Sequence, residues 1–204
     1  MTVPYTAISV PRATPHVRRH IASLMPGGGK MKFSELCLTR PRVGHELLMG
    51  WADRLFPHAH RVFGEPVTTI YAIGTVRYNT ADQTDFHQWH TDDWFFEPHC
   101  TGVTFWLTFD DVGVSAPSLE FDTEGVSHVP VVPAGTALMF GSKVKHRTQQ
   151  ISGERVSVEF RCAPLSVRTG NWLTAAQATV ELGPSGPELV VLHLGNVIGR
   201  AAVE

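Results

Sequence analysis

The sequence contains few cysteines, and none of them is placed as a redox or metal-binding pair would be. Cys37, Cys100 and Cys162 are an odd number, and the 204 residues contain no CxxC spacing. A small secreted domain stabilised by disulfides would carry an even set of cysteines. We therefore expect reduced thiols and a cytoplasmic protein.

Long apolar runs and an excess of positive charge are missing as well. No stretch approaches the roughly 20 apolar residues that span a bilayer. The first 20 residues do not show the basic start and apolar run of a secretory signal. Because 17 lysines and arginines face 19 acids, the formal net charge is −2. This balance gives no electrostatic basis for binding nucleic acid or an anionic membrane.

The chain predicts one domain with a helical start and a β-rich body. Apolar residues recur at three- and four-residue intervals over about residues 12–60. Over about 66–164, short β-branched and aromatic segments alternate with Gly, Pro and Asp turns. This order favours a mainly β fold, a double-sheet jelly roll with flanking helices on one face. Residues 165–204 are a C-terminal extension, whose apolar part ELVVLHLGNVI is a candidate strand or homodimer interface.

The stretch DFHQWHTDDWFF, residues 85–96, concentrates histidines, acids and aromatic rings. A histidine and a carboxylate two residues apart on an extended chain point the same way, so His90 and Asp92 should share one strand face. His146 lies downstream, in the last β-rich part of the chain. Two histidines and one carboxylate form the facial triad of non-haem Fe(II) oxygenases, which leaves one face of an octahedral ion open. These three residues are the predicted metal ligands and catalytic centre.

The segment RVSVEFR, which follows His146, alternates polar and apolar side chains. Its polar residues fall on one face of a strand: Arg155, Ser157, Glu159 and Arg161. A tight SGE turn precedes the segment, so we expect an antiparallel hairpin that brings Arg155 beside the strand of His146. A guanidinium in that position presents a planar fork to a carboxylate.

In these segments the sequence resembles the Fe(II)/2-oxoglutarate-dependent dioxygenases, in particular the phytanoyl-CoA dioxygenase-like family. The matching elements are WHTD (89–92), GVTFWLTFDDV (102–112), VPAGTALMFGSKVKHRT (132–148) and SGERVSVEFR (152–161). They cover roughly residues 70–162. The sequence departs from the family at SAPS (115–118), where many relatives have an Asn-Gly turn. The resemblance implies a double-stranded β-helix, the cupin-like jelly roll, with about eight core strands.

The resemblance also implies the cofactors and their contacts. Fe(II) would be bound by His90, Asp92 and His146, and the distal carboxylate of 2-oxoglutarate by Arg155. The candidate cosubstrate site further includes Thr148, Trp106, Tyr78 and Ser157. The implied reaction uses dioxygen to hydroxylate, desaturate or epoxidise a small-molecule substrate, and it releases succinate and CO2. Radical halogenases of this type lack the carboxylate ligand, so the presence of Asp92 argues against halogenation.

Three interpretations stay open at this point. His87 forms another carboxylate–histidine pair with Asp85, in reverse order, so it is a rival metal ligand; we expect instead a histidine beside the ligands or on the surface. Arg161 is expected to form an outer salt bridge with Glu159 or Glu120, and the alternative is an inward cation that anchors a substrate carboxylate. The rings at 94–96 either pack in the core or form the wall of an apolar substrate pocket.

Two other classes of function also stay open. The first is a cupin-like metalloenzyme that works without 2-oxoglutarate, and the pairing of Arg155 with Thr148 argues against it. The second is a non-catalytic binding protein of the same fold. An intact set of three ligands argues against that class.

Overall fold

The computed structural model describes residues 3–11, 13–50, 54–69, 74–83, 86–96, 101–164, 166, 177–183, 186–193 and 196–202. Its helices are α1 (Pro15–Leu24), α2 (Phe33–Thr39), α3 (Pro41–Gly50) and α4 (Phe56–Phe63). The first strands are β1 (Tyr5–Ser9), β2 (Gly29–Lys32), β3 (Val67–Thr69), β4 (Thr75–Asn79) and β5 (Val103–Thr108). The next are β6 (Leu119–Thr123), β7 (Val126–His128), β8 (Thr136–Gly141), β9 (His146–Thr148) and β10 (Arg155–Pro164). The last are β11 (Gln177–Gly183), β12 (Gly186–His193) and β13 (Asn196–Ala202).

Local sequence signals set the helix ends. Thr14 precedes α1 and accepts a hydrogen bond from the Val17 amide at 3.3 Å, while Pro15 occupies the first turn. α4 ends at Gly64, which adopts a left-handed conformation with φ of 71°. The four helices lie within the segment expected to be helical, but the short strand β2 interrupts it between α1 and α2.

The strands form two antiparallel sheets around the centre of the molecule. The major sheet has the order β1-β8-β5-β10-β4-β2, and β3 also pairs with β10. The minor sheet has the order β7-β6-β9. This arrangement confirms the double-stranded β-helix fold. In the C-terminal extension, β11, β12 and β13 form a separate three-stranded antiparallel sheet.

The central strands of the major sheet, β5, β8 and β10, are buried on both faces, and the two faces differ in chemistry. On its outer face, Phe105 and Phe160 belong to the core that packs against the helices. On its inner face, Trp106 belongs to a second cluster that faces the minor sheet. The polar residues of β10 also point inward, as the alternation predicted, so the polar interior of the protein lies between the sheets.

None of the helices in the described part of the chain has both the length and the apolar character needed to cross a bilayer.

We predict that Phe160→Ala destabilises the fold strongly. Phe160 is 0% exposed and stacks on Phe105 with ring centroids 5.2 Å apart, so truncation removes buried area and leaves a cavity. A loss of about 3–5 kcal/mol in the free energy of unfolding is expected, measured by denaturant titration. Val131→Ala is the control, because Val131 is 68% exposed and should change stability by less than about 0.5 kcal/mol. Equal effects of the two substitutions would contradict this packing.

Candidate metal centre

Two histidines and one aspartate converge between the two sheets. His90 and His146 lie opposite each other, and the backbone amide of each donates to the carbonyl oxygen of the other, at 3.0 and 2.9 Å. The amide of Asp92 donates to the Ser142 carbonyl oxygen at 2.8 Å. One ligand atom from each of the three side chains lies within 4.8 Å of the others. The structure therefore brings the three predicted metal ligands together.

The first two ligands do not lie on one strand, which corrects the expectation from the H-x-D spacing. His90 forms only an isolated bridge, and Asp92 has φ of −97° and ψ of 1° at the start of a short 3-10 helix, Asp93–Phe95. The Thr91 hydroxyl donates to the Asp93 carboxylate at 2.6 Å, and such local bonds compete with strand pairing. The ligands converge nevertheless, with His90 Nε2 3.8 Å from Asp92 Oδ1.

Both histidines are held in the tautomer that a metal requires. Nδ1 of His90 is 2.7 Å from the Gln88 carbonyl oxygen, and Nδ1 of His146 is 2.9 Å from that of Val144. Because a carbonyl can only accept, each Nδ1 carries the proton and each Nε2 keeps a lone pair. Burial lowers the pKa of His146, although the negative charge of Asp92 opposes this effect. The ring is therefore neutral and ready to coordinate.

The Asp92 carboxylate is fully buried and is oriented by two side chains of the major sheet. Thr104 donates its hydroxyl to Oδ2 at 2.5 Å, and Arg161 donates Nη2 to Oδ1 at 2.9 Å. Thr104 and Arg161 are register partners on β5 and β10. Burial raises the pKa of Asp92, but the charge and hydrogen bond of Arg161 outweigh burial, and the pKa is lowered. Asp92 is therefore ionised.

Arg161 is buried, which corrects the outer position that the sequence analysis expected, although one of its two expected partners, Glu159, does pair with it. Its side chain is only 3% exposed and points inward to Asp92, with a longer contact to Glu159 at 3.5 Å. Glu120, the other expected partner, pairs instead with Arg147 at 2.6 Å. The expectation failed because it assumed that Arg161, which lies far from Arg155 along β10, also lies far from the metal ligands. The polar interior extends along the whole inner face of this strand.

Arg155 is a buried cation whose partners in the described part of the chain are neutral. It donates Nη1 to the Pro117 carbonyl oxygen and Nη2 to Asn79 Oδ1, both at 2.8 Å, while Nε has no partner there. The guanidinium carbon lies 5.2 Å from the centroid of the Trp106 ring. Burial, and then the nearby charge of Arg77, lowers the pKa of Arg155 to about 9. A buried cation whose direct hydrogen-bond partners are neutral favours an anionic ligand.

Arg155 faces the same cavity as the metal ligands. Three further residues predicted for the cosubstrate site, Thr148, Trp106 and Ser157, line this cavity. The expected hairpin between β9 and β10 is absent, because β9 belongs to the minor sheet and β10 to the major sheet. Residues 149–154 cross between the sheets, so Arg155 meets the β9 ligand across the cavity and not on a neighbouring strand.

Tyr78 does not take part in the site, which corrects its expected hydroxyl contact. It alternates with Arg77 and Asn79 on β4 and therefore points to the opposite face, where it packs against the helix-side core. Its hydroxyl donates to the Glu154 carboxylate at 3.2 Å. The next residue, Asn79, holds Arg155 and was missed by the sequence analysis. Residues 77 and 79 lie on the same face of β4, so an inward Arg77 implies an inward Asn79.

His87 and Thr104 also lie at the site, although the sequence analysis did not predict either as a site residue. The rings of His87 and His90 have centroids 4.0 Å apart, and His87 lines the cavity. Burial, followed by the charges of His90 and Arg77, lowers the pKa of His87 to about 4. Of its two interpretations, the position beside the metal ligands is the one observed. Thr104 and Trp106 are two residues apart on β5, so their side chains lie on the same face. Because Trp106 was already a candidate site residue, this spacing could have identified Thr104 as another.

The three rings after the ligand segment occupy different environments. Trp94 is 65% exposed and stacks on Phe95 with centroids 3.6 Å apart. Phe95 in turn lies 3.8 Å from the guanidinium carbon of Arg161. Phe96 is buried against Gly102, where a Cβ atom would overlap its ring. Core packing thus accounts for Phe96, and Phe95 supports the arginine that holds the metal ligand.

Comparison with known proteins places this site in a recognised fold. No family model and no curated protein matches the sequence. Among solved structures, the non-haem alpha-ketoglutarate-dependent epimerase SnoN from nogalamycin biosynthesis matches with a TM-score of 0.63 and 13% identity, over 79% of this chain and 78% of SnoN. EctD from S. alaskensis matches with a TM-score of 0.63 and 12% identity, over 83% and 76% of the two chains.

A third similar structure is iron-bound HygX from Streptomyces hygroscopicus. Its TM-score is 0.61 at 14% identity, over 80% of this chain and 83% of HygX. Identities this low establish a shared fold, and they do not separate the phytanoyl-CoA dioxygenase-like family from other branches of that fold.

We predict that a divalent metal partly replaces the stabilising charge of Arg161. Arg161→Gln leaves the buried Asp92 carboxylate without its cationic partner and should cost the metal-free protein about 3–5 kcal/mol. Mn(II) neutralises the same carboxylate, so it should raise the Tm of the variant by more than it raises the Tm of the parent. Thermal unfolding with and without Mn(II) measures both effects.

Arg18→Gln is the matched control for this experiment. It removes a partly buried arginine of α1 that pairs with Asp110 and Glu154, neither of which belongs to the metal-ligand group, so Mn(II) should restore none of its loss. If Mn(II) stabilised both variants and the parent equally, the Arg161 pair would have no connection to the metal site.

Proposed function

We propose that this protein is an Fe(II)- and 2-oxoglutarate-dependent oxygenase that acts on a small molecule. The observation that carries the proposal is one cavity lined by His90, His146 and Arg155, with Asp92 completing the three-residue group beside the two histidines. The group offers the donor atoms of a facial metal site, and the arginine is a buried cation without a carboxylate partner among the described residues.

The residues present fit both cofactors. The Nε2 atoms of the two histidines, whose Nδ1 atoms face carbonyl oxygens, and the Asp92 carboxylate suit a borderline cation such as Fe(II). Arg155 uses two N–H groups for Pro117 and Asn79, and a guanidinium has five, so donors remain for a carboxylate. Solved structures of the same fold contain these cofactors: SnoN with Fe3+ and alpha-ketoglutarate, and HygX with nickel and 2-oxoglutarate.

In this proposal each residue has a defined task. His90, Asp92 and His146 would hold Fe(II), and Arg155 would bind the distal carboxylate of 2-oxoglutarate, with Thr148 and Ser157 beside it. When bound, iron and 2-oxoglutarate supply the oxidising power for attack on a substrate C–H bond by dioxygen, with release of succinate and CO2. Trp106 and Leu119 limit the access of water to the cavity.

The finer reaction is also part of the proposal. Similar structures include an epimerase and a carbocyclase, so the fold permits several outcomes of C–H attack. We favour hydroxylation, with desaturation and epoxidation as close variants, within the phytanoyl-CoA dioxygenase-like branch that the sequence motifs resemble. A cupin-like enzyme without 2-oxoglutarate would leave Arg155 buried without a task, and a binding protein would not need three oriented ligands.

We predict that Arg155→Gln weakens 2-oxoglutarate binding and spares metal binding. Loss of one partner of a buried charge-assisted pair costs about 2–5 kcal/mol, which corresponds to roughly 30- to 4000-fold in affinity. Isothermal titration of the Mn(II)-loaded protein with 2-oxoglutarate measures the change. Arg19→Gln is the control, because Arg19 is an exposed arginine on α1. Unchanged affinity in Arg155→Gln would contradict the proposed cosubstrate site.

We also predict that His90→Ala, Asp92→Ala and His146→Ala each lower bound Fe(II) and abolish succinate formation. Each change removes one donor of the group, and the outer core on the other face of the major sheet stays intact. Iron content and succinate release from 2-oxoglutarate with ascorbate are the measurements. Bound metal without consumption of 2-oxoglutarate in the parent would favour the cupin-like alternative. Full iron content and turnover in all three variants would refute the assignment.

A further inference from the structure

The inner face of the major sheet carries a second pair of cations besides Arg155 and Arg161. Lys30 on β2 and Arg77 on β4 are direct partners in the strand register, so their side chains leave the sheet on the same face. Like charges placed directly opposite each other on neighbouring strands destabilise a sheet. Neither cation forms an ion pair with a carboxylate anywhere in the described residues. An anion held between them would relieve this repulsion.

Lys30 and Arg77 lie at a groove that opens into the metal cavity. The groove is lined by both cations together with Phe86, His87 and His90. Arg77, His87 and His90 also line the cavity that contains the metal ligands and Arg155. A molecule bound in the groove would therefore extend into the cavity that His90, His146 and Arg155 line.

Among the described residues that line the cavity, two guanidinium groups, Arg77 and Arg155, face one carboxylate, Glu159. Burial, followed by the charge of Arg77, lowers the pKa of Arg155 to about 9. Glu159 is the acid on this face, and it contacts Arg161 at 3.5 Å. Binding of 2-oxoglutarate would neutralise Arg155 and would leave the charges of Arg77 and Lys30 in the groove uncompensated.

We propose that the substrate of this enzyme carries an anionic group, a carboxylate or a phosphate, which Arg77 and Lys30 bind at the mouth of the groove. This inference rests on the proposed function, because it assigns the second molecule that the cavity would receive beside 2-oxoglutarate. Phe86 and His87 also line the groove and would contact the part of the molecule that extends from the anionic group toward the cavity.

The test uses three aromatic probes of similar size: phenyl phosphate, phenylacetate and the neutral phenylacetamide. Each is titrated calorimetrically into the Mn(II)-loaded protein, with and without saturating 2-oxoglutarate. The two anions should bind, and the amide should bind at least about tenfold more weakly, because it lacks the charge that an arginine recognises. Comparison of phenyl phosphate with phenylacetate identifies which anionic group the pair prefers.

Substitutions locate the site. Arg77→Gln and Lys30→Gln should each weaken anion binding roughly tenfold or more while changing the affinity for 2-oxoglutarate by less than about threefold. Arg77→Lys keeps the positive charge, so it should bind the anions more tightly than Arg77→Gln does. This comparison separates the effect of lost charge from that of disturbed folding. The controls are Arg19→Gln and Lys143→Gln, which remove equal charges from exposed positions outside the groove and should change neither affinity.

The outcomes separate this inference from the function on which it rests. If 2-oxoglutarate binds but Arg77→Gln and Lys30→Gln leave anion binding unchanged, the inference is overturned and the oxygenase assignment stands. If the probes compete with 2-oxoglutarate and are lost in Arg155→Gln, they occupy the cosubstrate site, and the inference is also wrong. If 2-oxoglutarate does not bind at all, the proposed function fails, and the titrations still decide whether the groove binds anions.

Discussion

The cost of burying charge between two sheets is the constraint on which this structure depends. A charge removed from water must be paired, hydrogen-bonded or neutralised, or the fold loses several kcal/mol. Asp92 meets this requirement through Arg161 and Thr104, which reach it from adjacent strands of the major sheet. Arg155 meets it only in part, through one carbonyl and one amide oxygen. The polar interior is thus stable enough to fold and still favours further ligands.

Backbone pairing gives this interior its fixed geometry. The reciprocal hydrogen bonds of His90 and His146 join the ligand segment to the edge of the minor sheet. The same two residues donate their ring Nδ1 atoms to carbonyl oxygens two positions back in the chain. Each ring is therefore held through its own local backbone, so metal binding would need little rearrangement. The carboxylate is held from the opposite sheet, and the site joins the two layers of the fold.

Much of the fold and the centre of the site could be predicted from the sequence. The alternation in RVSVEFR correctly placed Arg155 and Ser157 on an inward face, and the spacing of the β-rich segments gave the jelly roll. The pairing of strands could not be predicted in the same way. A tight turn before Arg155 resembles a hairpin, but the chain crosses between sheets because β9 pairs with β6 and β10 with β4 and β5. Periodicity shows which way a side chain points and does not show what it meets.

The two arginines of β10 show why that distinction matters for function. Arg155 and Arg161 lie six residues apart on one face of one strand. The local sequence does not show which of them contacts a carboxylate of the protein. Arg161 meets Asp92, because the chain after His90 turns into the short 3-10 helix Asp93–Phe95 and leaves the Asp92 carboxylate facing the major sheet. Arg155 lies beneath the Pro117 segment, which offers a carbonyl oxygen and no carboxylate. The loops above the strand therefore decide what each arginine does. Arg161 orients a predicted metal ligand, and Arg155 favours an external anion. One of those loops contains SAPS (115–118), where the sequence departs from the family that it resembles.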